Sequence, residues 1–77
     1  MNNKPDEMLD LSGVGCPQNS ARALLRLEGM DPHTTIAIII DDGEPFRNVP
    51  PSLQEEGHTI VTMEKKGLQW HLLVMRR

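Results

Sequence analysis

Apolar and polar positions follow two periods along this chain. Near its end, Leu68, Trp70, Leu72 and Val74 alternate with Gln69 and His71, the period of two that marks a strand buried on one face. Thr59 to Lys65 reads as the preceding strand, with Lys66-Gly67 as the hairpin signal between them. Ile36 to Ile40 is a nearly continuous β-branched run, suited to a central strand covered on one face and partly on the other. Asp41-Asp42-Gly43 ends it, and Met8 to Leu11 is a further short strand. Elsewhere the period becomes helical. Ala21, Leu24 and Leu25 follow Pro17, whose missing N–H suits the first helical position. Arg22 and Arg26 lie one turn apart, facing water. Gly29 is placed to cap this helix and Asp31-Pro32 to turn the chain. Phe46, Val49 and Leu53 set a second helix within Glu44 to Glu56. Pro50-Pro51 interrupts that pattern: either a loop turn precedes a short helix beginning near Pro50, or the helix is kinked there.

The order β-α-β-α-β-β predicts an α+β fold, a two-layer α/β sandwich with both helices on one face of a mixed four-stranded sheet. Residues 1–7 read as a flexible tail and residues 8–77 as a single domain. Leu24, Leu25, Ile38, Leu53, Val61, Leu72 and Val74 are the expected core. The other sheet face then carries Gln69, His71, Leu73 and Met75, with either Ala37 and Ile39 or the remaining isoleucines. A small apolar patch there is compatible with a monomer or a weak dimer.

Composition narrows the function. A chain of 77 residues buries only about 60% of the surface its unfolded form exposes, so its core is thin and room for sites is small. Aromatics are 3%, namely Phe46 and Trp70, and the net charge is −3. Both argue against direct nucleic-acid binding, which relies on base stacking and on phosphate neutralisation. The single cysteine, Cys16, excludes an intrachain disulfide, and His33, His58 and His71 offer no paired metal spacing. No metal and no cofactor is expected. Ile36 to Ile40 is far short of the roughly 20 residues of a membrane span, and Met1 to Glu7 lacks the apolar core of a signal peptide. The expected compartment is the cytoplasm, where Cys16 stays reduced.

Chemistry concentrates in Gly13-Val14-Gly15-Cys16-Pro17-Gln18-Asn19. The glycines permit an unusual loop, and Pro17 starts the helix, so Cys16 is expected to be the cap residue with its sulfur on the rim. Backbone N–H groups and the helix dipole favour an anion there. The dipole contributes only about 0.3–1 kcal/mol, so hydrogen bonds must supply any larger effect. The competing reading is an inert buried thiol, a common fate of free cysteine. No general base is adjacent in sequence, so Cys-His hydrolysis lacks support. Gly13-Val14-Gly15 is no dinucleotide fingerprint, because position 18 is Gln18. Asp41-Asp42 with Glu44 reads as a strand-ending turn rather than a cation loop. Lys65-Lys66 and Arg76-Arg77 read as solvated ends. Arg47 either binds an anion or pairs with Glu44, the pair being favoured.

These residues together resemble the TusA/SirA-like sulfur-carrier family. Leu9-Asp10, Gly13 and Cys16-Pro17 resemble its opening. Asp41-Asp42 and Arg47-Asn48-Val49-Pro50 resemble its central stretch, and Gly57-His58 with Gly67-Leu68 its closing hairpin. The resemblance implies the same two-layer fold with sheet order 1-2-4-3. It implies a sulfurtransferase-like relay in which Cys16 accepts sulfur as a persulfide and passes it on; Gly13, Gly15, Pro17, Asn19 and Arg47 are the residues expected to support that site. The implied donors are cysteine desulfurases or rhodanese-like proteins. The implied acceptors are further sulfur-relay proteins feeding tRNA thiolation, cofactor sulfuration or dissimilatory sulfur metabolism. The sequence departs from the family's Cys-Pro-x-Pro at Asn19, has Asn48 in place of an aspartate, and has Gly15 where larger residues are common. A second reading is a regulatory or interaction module, RNA- or protein-binding, in which Cys16 is structural. A redox-sensing thiol is a third, weakened because the chain holds no resolving cysteine.

Overall fold

The computed structural model describes residues 4–77. Of the segment expected to be a flexible tail, residues 1–3 lie outside the described residues. The first strand, β1, runs Glu7–Asp10 and so begins inside that segment. Asp6 ties it down: its N–H donates to the Thr35 carbonyl at 2.9 Å, and its carboxylate accepts the Thr35 N–H at 2.9 Å. Then follow α1 (Gln18–Glu28), β2 (Thr35–Asp41), α2 (Glu44–Glu55), β3 (Thr59–Lys66) and β4 (Gln69–Met75). The sheet order is β1-β2-β4-β3. β1 and β2 are parallel, joined through α1, and the other pairs are antiparallel. The expected β-α-β-α-β-β order and mixed sheet are present.

One face of the sheet makes the core. Ile36, Ile38 and Ile40 of β2 and Leu72 and Val74 of β4 pack with Ala23 and Leu27 of α1 and Val49 and Leu53 of α2, closed by Leu11 and Met30. Alternation in β2 then sends Ala37 and Ile39 to the open face. Register places Met8 beside Ala37 and Ala37 beside Leu73, with Ile39 beside His71.

Two expected core residues are not in it. Leu25 is 73% exposed because α1 turns a different stripe inward: Asn19, Ala23, Leu27 and Met30 are buried, and Leu24 only flanks them. Val61 is 47% exposed because pairing with β4 shifts register between Ile60 and Thr62. The extra residue of this bulge breaks the alternation of two. Leu68 is also not a strand residue. Lys66 pairs with Gln69, which leaves Gly67-Leu68 as a two-residue turn with Gly67 at φ +64°, and Leu68 is 82% exposed.

The second helix is one continuous element through Pro50 and Pro51. Those prolines remove the N–H groups that would reach Phe46 and Arg47. Val49 and Leu53, each fully buried, anchor the turns on either side, and the Ser52 hydroxyl donates to the Asn48 carbonyl at 2.9 Å.

Gly29 caps α1 as expected, in a right-handed conformation at φ −86°. Its N–H donates to the Arg26 carbonyl at 3.2 Å, and Met30 donates to Leu27 at 3.0 Å. Arg76 completes the cap by donating Nε–H to the Leu27 carbonyl at 2.7 Å. Arg76 is therefore a structural cation at a helix C-terminus, where it complements the dipole, and not a solvated end.

Candidate functional site

The loop before the thiol is anchored at its first half. Gly13 has φ +76°, a conformation a side chain disfavours, and its N–H donates to Asp41 Oδ2 at 2.8 Å. Ser12 donates its N–H to Asp10 Oδ1 at 2.9 Å. The Ser12 hydroxyl and N–H together hold the Asp10 carboxyl below its usual range. The Gln69 amide bridges Ser12 Oγ at 2.6 Å and Asp41 Oδ1 at 3.3 Å. The aspartate pair at the end of β2 is thus consumed by structure. Asp41 fastens the glycine loop, while Asp42 accepts the Trp70 indole N–H at 2.8 Å and pairs with Lys65 at 3.3 Å. That indole contact, with the Gly43 N–H, lowers the Asp42 pKa. Among the described residues no three His, Cys, Asp or Glu side chains gather as a metal set, and no helix is long and apolar enough to cross a membrane.

Cys16 follows this loop and is exposed. The Cys16–Pro17 peptide is cis. The cap position of α1 is taken by Pro17, with the helix starting at Gln18, so Cys16 stands one residue before the cap rather than on it. Two early helical donors are spoken for: Asn19 N–H donates to the Gly15 carbonyl at 3.0 Å and Ser20 N–H to Asn19 Oδ1 at 2.6 Å. The sulfur instead accepts from two side-chain amides, Asn48 Nδ2 at 3.1 Å and Asn19 Nδ2 at 3.5 Å.

Where α1 meets α2, an open groove of about 400 Å³ holds Cys16. Pro17 and Ser20 form one wall, and Arg47, Asn48, Pro51, Ser52 and Glu55 form the other. Of the expected site residues, the groove collects Cys16, Pro17 and Arg47. Asn19 reaches the sulfur from the buried side. Gly15 supplies the carbonyl beneath the helix start, and Gly13 turns away to Asp41. Arg47 forms no ion pair with Glu44 among the described residues; the pairs are Arg26–Glu7, Lys65–Asp42 and Lys66–Glu64. His58 and His71 do not serve the thiol. His58 is buried and accepts the Arg77 N–H at Nδ1, and His71 lies on the open face between Ile39 and Glu64. Cys16 takes no part in the core, which removes the ground for an inert packing role. The contact with Asn48 was hidden in the sequence, since 32 positions separate the two residues. Its only hint was that Asn48 follows Arg47.

Three comparisons bear on this arrangement. The family model described as sulfurtransferase TusA matches residues 7–76. A protein of Archaeoglobus fulgidus named "Putative sulfur carrier protein" is 34% identical over 73 residues, which is 94% of this chain and 83% of that one. The crystal structure of a SirA-like protein from Desulfitobacterium hafniense superposes with a TM-score of 0.76 at 17% identity, covering 90% of this chain and 95% of the other; it shares the fold.

Proposed function

We propose, from the premise that this chain belongs to the TusA sulfurtransferase family, that it carries sulfur on Cys16 between a donor and an acceptor protein. The observation that carries this reading is an exposed sulfur at a groove rim with two amide donors aimed at it. In the loading step the Cys16 thiolate attacks the terminal sulfur of a donor persulfide. A new S–S bond forms at Cys16 as the donor's S–S bond breaks, and the donor cysteine leaves as its thiolate. Cys16 now holds the persulfide and its proton. Delivery repeats the exchange with an acceptor thiolate as attacker and Cys16 as leaving group. The two steps are ordinary thiol exchange at sulfur and need no outside oxidant or reductant.

An open groove suits protein partners better than a small substrate, because two large partners must reach one sulfur in turn. Cysteine desulfurases and rhodanese-like proteins are the donors by chemistry, since both carry cysteine persulfides. Relay proteins ending in tRNA thiolation, cofactor sulfuration or sulfur metabolism are the acceptors. A reducing cytoplasm keeps the resting thiol available.

The test is intact mass after incubation with a cysteine desulfurase and cysteine, and separately with a loaded rhodanese. The expected result is one added sulfur atom, located at Cys16 and removed by a thiol reductant. No added sulfur from either donor class would overturn the reading.

A further inference from the structure

We propose that the amides of Asn19 and Asn48 form a two-donor cradle that holds the Cys16 sulfur as an anion, both when it attacks and when it departs. The role in sulfur transfer rests on the carrier reading above; the cradle itself does not. Asn19 is fully buried, and its Oδ1 is committed to the Ser20 N–H at 2.6 Å. Only its NH₂ is left to face the sulfur, 3.5 Å away. Asn48 approaches from the other helix at 3.1 Å. Sulfur in a neutral thiol is a weak acceptor, whereas hydrogen bonds to an ionised acceptor are about twice as strong as neutral ones. Two N–H donors therefore stabilise negative charge where it develops on the sulfur.

The two residues are also two of the three positions, Gly15 being the other, at which the sequence departs from the pattern it resembles. A proline at position 19 has no amide to offer, and an aspartate at position 48 presents an acceptor and a negative charge. Here both departures supply a donor to the same atom, from two different helices. The effect on the two half-reactions is unequal. Donors to the anion lower the nucleophilicity of each anion, which offsets part of what they gain on attack. A better leaving sulfur gains on departure without that offset. The cradle thus favours delivery over loading.

The variant to use is at Asn48, which is exposed, so folding is not at risk. Attack is read as the rate of Cys16 alkylation by iodoacetamide at one near-neutral pH. Departure is read on Cys16 persulfide formed with inorganic polysulfide, as thiocyanate released by cyanide. Asn48→Ala should slow alkylation and slow thiocyanate release by a larger factor. Asn48→Asp should be slower than Asn48→Ala in both. The extra deficit of Asn48→Asp should shrink as salt is raised, because it comes from charge, while the Asn48→Ala deficit stays. A purely structural role would give neither the order nor the salt response. Equal rates for all three proteins would overturn the cradle and leave the carrier reading standing. Slowed alkylation in both variants, with a wild-type protein that no protein donor loads, would overturn the carrier reading and keep the cradle.

Discussion

Asn19 has no exposed surface, yet its amide reaches the exposed sulfur of Cys16 at 3.5 Å. A buried polar group is thereby satisfied by an exposed thiol sulfur. Replacing Cys16 therefore has a structural cost that depends on the replacement. Cys16→Ser keeps an acceptor and should change unfolding free energy by no more than about 0.5 kcal/mol. Cys16→Ala leaves the Asn19 amide short of a partner and should be less stable than the serine variant by about 1 kcal/mol. Denaturant titration of the two variants checks this; equal stabilities would mean the amide finds water instead.

Leu72 lies at the centre of the sheet, between Ile38 of β2 and Met63 of β3, and is 2% exposed. Leu72→Ala should cost roughly 2–5 kcal/mol, a large part of a small domain's stability. A loss under about 1 kcal/mol would show that the site collapses around the deletion.

Neighbouring leucines of α1 should respond oppositely. Leu27→Ala removes a fully buried side chain and should cost about 2–5 kcal/mol. Leu25→Ala, on the outer face, should stay within about 0.5 kcal/mol of wild type. Chemical denaturation of the pair tests which stripe of the helix faces the sheet.

Phe46 and Trp70 stack with ring centroids 3.9 Å apart and planes 10° from parallel. The contact ties the start of α2 to β4 while the indole N–H is held by Asp42. Phe46→Leu should lose about 0.5–1.5 kcal/mol beyond the change in buried area. It should also alter the emission of Trp70, the chain's one tryptophan. An unchanged emission spectrum would argue that the rings do not stay stacked in solution.

His58 should make stability depend on pH. Burial, followed by the charges of Arg77 and Arg76, holds its pKa below the ordinary 6.5. Its Nδ1 also accepts the Arg77 N–H at 3.3 Å, a bond that protonation removes. The unfolded chain therefore takes up the proton at higher pH than the folded one. The His58 contribution is complete above about pH 6.5 and is lost as the pH falls from there through the folded-state value. Tm measured from about pH 7.5 down to about pH 5 should fall, with a shallower slope in His58→Gln. Equal slopes in the two proteins would remove His58 as the cause.

The strands and helix positions were legible because their apolar periods are strong: the β-branched run of β2 and the alternation of β4 leave little choice. Legibility failed where a polar residue or an irregularity hid the phase. In α1 the buried stripe begins with Asn19, a polar residue, so Leu24 and Leu25 looked like the inward pair. In β3 the bulge at Val61 changes face assignment without any local mark in Ile60-Val61-Thr62. At the site, the thiol, its proline and the glycine loop were readable as one contiguous segment. Its amide cradle was not, because Asn48 joins it only through the meeting of two helices. The expectation that backbone N–H groups would face the sulfur failed for a related reason: Pro17 occupies the cap, and Asn19 Oδ1 takes the Ser20 N–H for itself.

The bulge at Val61 bears on how this chain behaves when crowded. β3 is an outer strand with one row of backbone groups unpaired within the sheet, the kind of edge on which another polypeptide can add and begin ordered aggregation. The misstep between Ile60 and Thr62 interrupts that row, and Glu64, Lys65 and Lys66 place exposed charges along the rest of it. At the opposite edge β1 is only four residues long, with Glu7 held by Arg26 at 2.6 Å. Neither border of the sheet offers a long, straight, uncharged template, so two molecules brought together at high concentration can separate afterwards instead of fusing edge to edge.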